Sequence, residues 1–160
     1  MGKVVSVDEI VKIKNELKSQ GKKIVFTNGC FDILHRGHVE YLAKAKELGD
    51  VLIVGLNSDS SVKQIKGEER PIVPQDDRAF ILSNLAFVDY VVIFDEPTPY
   101  NLISKIIPDI LVKGSDWSME NVVGREIVEA NGGRVVLIEL TPNRSTTNII
   151  KTIVERFCKR

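Results

Sequence analysis

The stretch KKIVFTNGCFDILHRGHVEYLAKAKELGDVLIVGL (22–56) contains two apolar runs on either side of a segment with helical periodicity. The runs at 22–27 and 50–56 are continuously apolar, which is typical of strands covered on both faces. Between them, at about 38–48, apolar side chains recur at helical spacing, and Gly49 is a typical helix stop. Two strands joined by a helix form a parallel pair, so this stretch predicts an α/β fold.

The same alternation continues through the rest of the chain. Further strands are predicted at 89–94, 109–113 and 133–140. Further helices are predicted at about 7–19, 75–86, 99–107, 120–131 and from Ser145 to about Phe157. We therefore expect a five-stranded parallel sheet with helices on both faces, in a single domain that covers residues 1–160. Within this domain, residues 1–20 are expected to form an N-terminal helix and residues 21–157 the core.

Composition and charge exclude several classes of protein. Lys and Arg total 22 and Asp and Glu total 22, so the formal net charge is zero. This balance gives no reason to expect a nucleic acid or an acidic membrane surface as a partner. No segment has the apolar length of a signal peptide or a membrane span, and Cys30 and Cys158 form no zinc or disulfide pattern. We expect a soluble cytoplasmic protein.

The motif HRGH (35–38) lies where the first predicted strand gives way to a helix, the edge at which parallel sheets bind ligands. A helix start presents free N–H groups and the positive end of the helix dipole, which favours an anion. His35 and His38 could donate hydrogen bonds to phosphate oxygens there. Zinc is disfavoured because no third ligand follows at a familiar spacing. A histidine that caps the helix, next to a surface histidine, remains the alternative.

A second predicted helix start contains the hydroxyls of Ser145, Thr146 and Thr147. Ser145 is a typical helix cap, but one hydroxyl is enough for that purpose. The sequence contains no GxGxxG after the first strand and no GxxxxGK[ST], so neither of these phosphate-binding loops is present. The hydroxyl cluster is therefore a candidate for a second phosphate contact.

Two more stretches follow other predicted strands. In residues 62–78 we predict no clear secondary structure before the helix at about 75–86, and this stretch contains three basic candidates for phosphate binding, Lys66, Arg70 and Arg78. Acidic residues are interspersed there, so a charged surface is the alternative. The stretch VKGSDW (112–117) ends a strand and contains the only tryptophan, Trp117. Trp117 is either a core residue or a surface on which a base stacks.

With these motifs in this order, the sequence resembles the HxGH nucleotidylyltransferases, a cytidylyltransferase-like superfamily, over about residues 20–155. Five segments are most similar to the heptose 1-phosphate adenylyltransferases: TNGCFDILHRGHVEYL, NSDSSVKQIKG, RPIVPQDDR, DILVKGSDW and STTNIIK. Those enzymes exist separately or as the C-terminal half of a bifunctional heptose kinase/adenylyltransferase. The resemblance implies a Rossmann-like three-layer α/β/α fold. It also implies transfer of AMP from ATP to D-glycero-β-D-manno-heptose 1-phosphate, with release of pyrophosphate, for lipopolysaccharide core synthesis.

Two other functions stay open. Cytidylyltransferases that act on glycerol 3-phosphate or a related phosphorylated alcohol share the GxFDxxHxGH motif, but they typically carry an Arg before TPxxSTT, where this chain has Leu140. The other function is nucleotide binding without catalysis.

The resemblance also implies roles for individual residues. The expected catalytic residues are His35, His38 and Lys66. The expected nucleotide-binding residues are Cys30, Phe31, Gly37, Lys113, Gly114, Asp116, Trp117, Ser145, Thr146 and Thr147. The expected substrate-binding residues are Asn28, Asp32, Arg70 and Arg78.

Expectations about cofactors and partners follow from the same resemblance. Mg²⁺ is expected on phosphate oxygens and water rather than in a protein cage. The family tendency to dimerise implies a homodimer. Because only about 20 residues precede the first predicted strand, the sugar kinase of the pathway is expected to be a separate protein.

Overall fold

The computed structural model describes residues 1–158, and in this part of the chain six parallel strands form one sheet in the order β1-β4-β3-β2-β5-β6. The strands are β1 (Lys3–Val4), β2 (Ile24–Gly29), β3 (Val51–Asn57), β4 (Tyr90–Phe94), β5 (Ile110–Gly114) and β6 (Arg134–Ile138). The helices are α1 (Val7–Ser19), α2 (Arg36–Lys46), α3 (Asp59–Lys66), α4 (Gln75–Ser83), α5 (Tyr100–Ile106), α6 (Arg125–Ala130) and α7 (Thr146–Phe157). The predicted α/β fold with a parallel sheet is confirmed.

Helices cover both faces of the sheet. On one face, α1 and α5 bury Ile10 and Ile103 against Phe26 of β2. On the other face, α2 and α4 contribute Leu42 and Leu82 to a second core. Because β2 and β3 contact apolar side chains on both faces, β3 is buried along its whole length and is apolar up to its last residue, Asn57.

The prediction of five strands was one strand short. β1 consists of Lys3 and Val4 and pairs with β4 at the edge of the sheet. Two residues are too few to appear as an apolar run, and Val4 is exposed. Through β1 and the buried Ile10, the first twenty residues belong to the same sheet and core as the rest of the domain.

The prediction that residues 62–78 have no regular structure before the helix at about 75–86 was wrong at its beginning. α3 extends to Lys66, and its first turn is capped by the Ser58 hydroxyl, which accepts a hydrogen bond from the Ser61 N–H at 3.2 Å. α4 begins at Gln75. Only residues 67–74 are irregular, and they connect α3 to α4 beside the carboxyl end of the sheet.

Two predicted helix boundaries also differ. The helix predicted at 120–131 is divided into a 3₁₀ turn at Met119–Asn121 and α6, because Gly124 has a φ of +85° and a Cβ there would approach Ile103 to 2.8 Å. α2 begins at Arg36, two residues before the predicted start, because His35 is its N-cap.

Candidate active site

A cavity of about 740 Å³ opens at the carboxyl ends of β2 and β5. The chain leaves β2 for β3 on one side and later returns to β5 on the other side, so the strand order reverses between these neighbours. Parallel sheets bind ligands at such positions, and the volume is in the range of small-molecule sites. All the predicted site residues except Arg78 line this cavity.

The two histidines of HRGH form a reciprocal cap at the start of α2. The Nδ1 of His35 accepts a hydrogen bond from the Gly37 N–H at 3.1 Å, and the Nδ1 of His38 accepts one from the His35 N–H at 3.4 Å. A neutral imidazole that accepts at Nδ1 carries its proton on Nε2. Among residues 1–158, neither Nε2 has a hydrogen-bond partner, so both remain available as donors to a ligand in the cavity.

Both histidines are neutral near neutral pH. Burial and the neighbouring His35 lower the pKa of His38 to about 4. Burial and the Arg144 guanidinium lower the pKa of His35. The sequence left open whether these residues cap a helix or bind a phosphate, and the structure shows that capping uses one nitrogen of each ring and leaves the other free.

Two glycines make room for this arrangement. A Cβ at Gly37 would lie 2.9 Å from Cε1 of His35 and 3.2 Å from Cβ of Arg144. A Cβ at Gly29 would lie 2.9 Å from the ring of Phe31, which packs edge-on against His38 at a centroid distance of 5.3 Å. Gly37 is therefore needed for the position of the His35 ring, and Phe31 packs against the ring of His38.

Asp32 does not present free oxygens to a substrate hydroxyl, as the sequence led us to expect. Its side chain is completely buried, and its carboxylate accepts hydrogen bonds from the N–H groups of Ile72 and Val73 and from Nε of Arg70. Burial raises the pKa of Asp32, but these three hydrogen bonds outweigh burial and hold the pKa below its ordinary value. Asp32 is thus an anion bound to the irregular segment 67–74.

Arg78 was predicted to bind substrate, but the structure places it in the interior, outside the cavity lining. Its guanidinium donates to the carbonyls of Val73, Cys30 and Asn57 and pairs with Asp59 at 2.9 Å. These contacts connect the ends of β2 and β3 to segment 67–74. Arg78 therefore stabilises the loops around the site, and the prediction of substrate contact is corrected.

Four other predicted residues line the side of the cavity next to α3. Lys66 ends α3 and is exposed, and Arg70 follows in segment 67–74 with its side chain largely buried. Burial raises the pKa of the Cys30 thiol, although Lys66 and Arg70 favour its thiolate. The side-chain oxygen of Asn28 is buried without a hydrogen-bond partner among the described residues. An unpaired buried acceptor at a cavity wall suits a ligand that donates a hydrogen bond.

The end of β5 forms the opposite wall. The Lys113 ammonium lies 5.2 Å from the ring centroid of Trp117, within reach of a cation–π contact. Burial lowers the pKa of Lys113 to about 8, against the opposing effect of Asp116. A Cβ at Gly114 would lie 2.7 Å from the Asp116 carboxylate and 2.9 Å from Leu140. Trp117 is 43% exposed, so it is not a core residue, and its ring lines the cavity.

The start of α7 closes the cavity. The Ser145 hydroxyl accepts a hydrogen bond from the Asn148 N–H at 3.1 Å and so caps the helix. The Thr146 hydroxyl is buried and donates to the carbonyl of Asp32. Of the three predicted hydroxyls, the Thr147 hydroxyl alone has no hydrogen bond within residues 1–158. Thr146 therefore fixes α7 to the HRGH turn, while Thr147 and the first N–H groups of α7 are available to an anion.

Several cavity residues were not singled out in the sequence, among them Arg144 and Tyr41. Arg144 precedes the α7 cap, lies beside His35 and Gly37, and has no acidic partner among the described residues. The Tyr41 hydroxyl lies 2.7 Å from the Thr27 hydroxyl, and burial raises the pKa of Tyr41. Arg144 directly precedes STT, which was the available signal. Tyr41 has none, because in sequence it is one of several apolar positions on α2.

Two features of residues 1–158 bear on metals and membranes. Groups of three or more His, Cys, Asp and Glu side chains that could hold a metal ion do not occur in this range. Each helix of the same range is too short or too polar to cross a membrane.

Comparison with protein families and curated proteins relates the chain to known sequences. Residues 26–155 match the family model described as cytidylyltransferase-like. The chain is 54% identical over 155 residues to the bifunctional protein HldE of Geobacter sulfurreducens, covering 97% of this chain and 32% of that protein. It is 61% identical over 152 residues to the bifunctional protein HldE of Campylobacter concisus, covering 94% of this chain and 31% of that protein. The chain thus spans about a third of the length of these relatives.

Solved structures show the same architecture. The lipopolysaccharide core biosynthesis protein from Thermoplasma volcanium is 29% identical, with a TM-score of 0.62, over 76% of this chain and 98% of that one. Pantoate-β-alanine ligase from Francisella tularensis, solved with β-γ ATP and β-alanine, is 17% identical, with a TM-score of 0.65, over 100% of this chain and 80% of that one. At that identity the ligase supports the Rossmann-like fold alone.

Proposed function

The chain belongs to the cytidylyltransferase-like family of nucleotidyltransferases, and we propose that it transfers AMP from ATP to D-glycero-β-D-manno-heptose 1-phosphate, giving ADP-heptose and pyrophosphate for lipopolysaccharide core synthesis. The observation that carries this proposal is the histidine pair at the start of α2. Two neutral imidazoles there keep free Nε2–H groups in a cavity of nucleotide size. Neutral donors suit a phosphoryl centre on which negative charge develops during the reaction.

The proposed reaction is a direct displacement. An oxygen of the sugar 1-phosphate attacks the α-phosphorus of ATP, the bond from that phosphorus to the bridging oxygen breaks, and pyrophosphate leaves. The attacking oxygen is already ionised at neutral pH, so the enzyme needs no general base. It must align the reactants and stabilise the charge that grows on the α-phosphate and the leaving group. In this proposal, His35 and His38 donate to those oxygens.

Other cavity residues have supporting roles in the same proposal. Lys66 and Arg70 neutralise phosphate charge on the α3 side. Ser145 and Thr147, with the first N–H groups of α7, contact the β- and γ-phosphates. The nucleotide base lies against Trp117 and the end of β5, a set of residues that comprises Lys113, Gly114 and Asp116.

The cavity suits a Mg²⁺ ion that arrives on the triphosphate. Of the two carboxylates in the lining, Asp32 has its oxygens engaged by three hydrogen bonds, while Asp116 has none from the described residues. Phosphate oxygens and water would therefore supply most of the ligands, with Asp116 as the available protein carboxylate. When bound, Mg²⁺ supplies charge neutralisation between the phosphates.

The choice of heptose and ATP is supported by the identity to the HldE proteins and by the departure at Leu140 from the cytidylyltransferase pattern. The unpaired oxygen of Asn28 offers an acceptor for a sugar hydroxyl. The proposal requires a sugar kinase reaction to supply the 1-phosphate, from a separate polypeptide or another domain. We place the reaction in the cytoplasm, where ATP is available; a homodimer remains a prediction.

A pyrophosphate-release assay tests the proposal. The protein is incubated with ATP or CTP against a panel of sugar 1-phosphates and polyol phosphates, with a His38→Asn variant as the inactive control. We expect release with ATP and the heptose 1-phosphate. Release with CTP and glycerol 3-phosphate alone would favour the cytidylyltransferase function. Tight ATP binding without release on any acceptor would favour a non-catalytic module.

A further inference from the structure

We propose that Asp32 is a positioning residue that aims the guanidinium of Arg70 at a phosphate group in the cavity. The proposal uses the proposed function only in that the cavity binds a phosphorylated ligand. It replaces the expectation that Asp32 itself contacts the substrate.

The contacts of Asp32 reach three loops around the cavity. Its carboxylate accepts from the Ile72 N–H at 2.8 Å and the Val73 N–H at 2.9 Å, both in segment 67–74. Its backbone carbonyl accepts the hydroxyl of Thr146 at the start of α7. Asp32 itself lies in the turn between β2 and α2. One residue therefore connects the HRGH turn, segment 67–74 and the STT helix start.

The burial of Asp32 makes these hydrogen bonds necessary. A carboxylate without solvent contact is strongly disfavoured unless hydrogen bonds and an opposite charge satisfy it. The two N–H groups and Nε of Arg70, at 2.9 Å, provide both. Segment 67–74 has no regular secondary structure, so its position depends largely on this carboxylate and on Arg78. The Arg78 guanidinium does not contact Asp32, but its Nε donates to the Val73 carbonyl.

The two Nη groups of Arg70 are free to bind a ligand. Only Nε contacts Asp32, and the two Nη groups have no hydrogen-bond partner within residues 1–158. The side chain is 16% exposed and lines the cavity with Lys66 and Cys30. A guanidinium held at Nε presents its Nη groups as a rigid fork, which matches two oxygens of a phosphate. The fixed orientation lowers the entropy lost when that phosphate binds.

A double-mutant cycle measured by calorimetry tests the proposal, with inorganic pyrophosphate and ATP as separate probes. Asp32→Asn keeps the shape of the side chain and removes its charge. We expect it to weaken pyrophosphate binding about tenfold, and Arg70→Gln to weaken it by at least as much. In the Arg70→Gln background, Asp32→Asn should have almost no further effect, because Asp32 acts through Arg70. An equal loss in both backgrounds, or no loss from Asp32→Asn, overturns the proposal.

The matched control is Asp59→Asn, which removes the carboxylate of another Asp–Arg pair, with Arg78. Arg78 lies outside the cavity lining and keeps its hydrogen bonds to the carbonyls of Val73, Cys30 and Asn57 in this variant, so pyrophosphate affinity should stay within about twofold of the unaltered protein. If Asp32→Asn does not fold, Arg70→Lys takes its place: it keeps the charge but lacks the fork, and unaltered pyrophosphate affinity in that variant overturns the proposal. The readout is independent of the nucleotide and acceptor used in turnover, so transfer of CMP instead of AMP would refute the proposed function and leave this cycle intact.

Discussion

The rings of His35 and His38 stack with their centroids 3.8 Å apart and an interplanar angle of 25°. Each ring accepts a backbone N–H at its Nδ1, so the first turn of α2 holds both rings in place. Two charged imidazoles could not stack at this distance without strong repulsion, and the lowered pKa of each ring agrees with a neutral pair. Hence the arrangement at the helix start favours the neutral form of both histidines, which is the form that the proposed reaction needs.

Replacement of His38 should remove one donor from the reaction centre. We expect His38→Ala to lower kcat on the order of 10²–10³-fold, the usual loss for one transition-state donor. His38→Asn should lower kcat equally but unfold at a higher temperature than His38→Ala, because its side-chain oxygen can replace Nδ1 as the acceptor at the helix start. Pyrophosphate release and thermal unfolding measure the two effects. Near-normal turnover in His38→Asn would show that Nε2 is not needed.

The lowered pKa of His38 predicts a loss of stability in mild acid. The folded pKa is about 4 and the ordinary value is 6.5, so between these values the unfolded chain binds a proton that the folded chain does not. The free energy of unfolding should therefore fall as the pH drops below about 6.5. In His38→Asn, the fall between neutral pH and about pH 5 should be smaller by about 2 kcal/mol. Urea unfolding at both pH values tests this, and an identical fall in both proteins would contradict it.

The lowered pKa of Lys113 predicts weaker nucleotide binding in alkaline solution. As the pH rises through about 8, Lys113 loses its proton and with it one positive charge on the cavity wall. In Lys113→Arg the charge persists, so the affinity should change little over the same range. Trp117, the only tryptophan, lies against Lys113 and provides a fluorescence signal for ATP titrations. The same alkaline loss in Lys113→Arg would assign the effect to another group.

Arg144 should contribute to the binding of the triphosphate. It has no acidic partner among the described residues and lies beside His35 at the start of α7. We expect Arg144→Ala to raise the KM for ATP about tenfold and to affect kcat less, with a stronger effect at low salt. The matched control is Arg134→Ala, which removes an exposed arginine at the amino end of β6, away from the cavity. Equal KM values for the two variants would exclude this role.

Much of the fold was predictable because its signals are local. Continuous apolar runs in β2 and β3 and helical spacing in α2 depend on neighbours within a few residues. The start of α7 was predictable because Ser145 caps it through a contact three residues away. β1 and α3 were missed for the same reason, since Lys3–Val4 is too short to form a pattern and α3 is mostly polar.

The sequence predicted which residues meet at the site better than it predicted what each of them does there. Parallel topology brings the ends of β2, β5 and β6 to one edge, so residues of HRGH, VKGSDW and STT had to meet there. The roles of Asp32, Arg78 and Thr146 were not predictable, because each forms its hydrogen bonds with a residue far away in the sequence.

By itself, the sequence determined the alternation of strands and helices and the two helix starts that face the cavity, because periodicity and capping act over three or four residues. Only the tertiary structure decided which charged groups face a ligand and which face inward. Asp32 meets Arg70 across 38 positions of the chain, and Arg78 meets Cys30 across 48. A buried charge is stable only where folding brings its partner to it, so its direction is a property of the assembled fold.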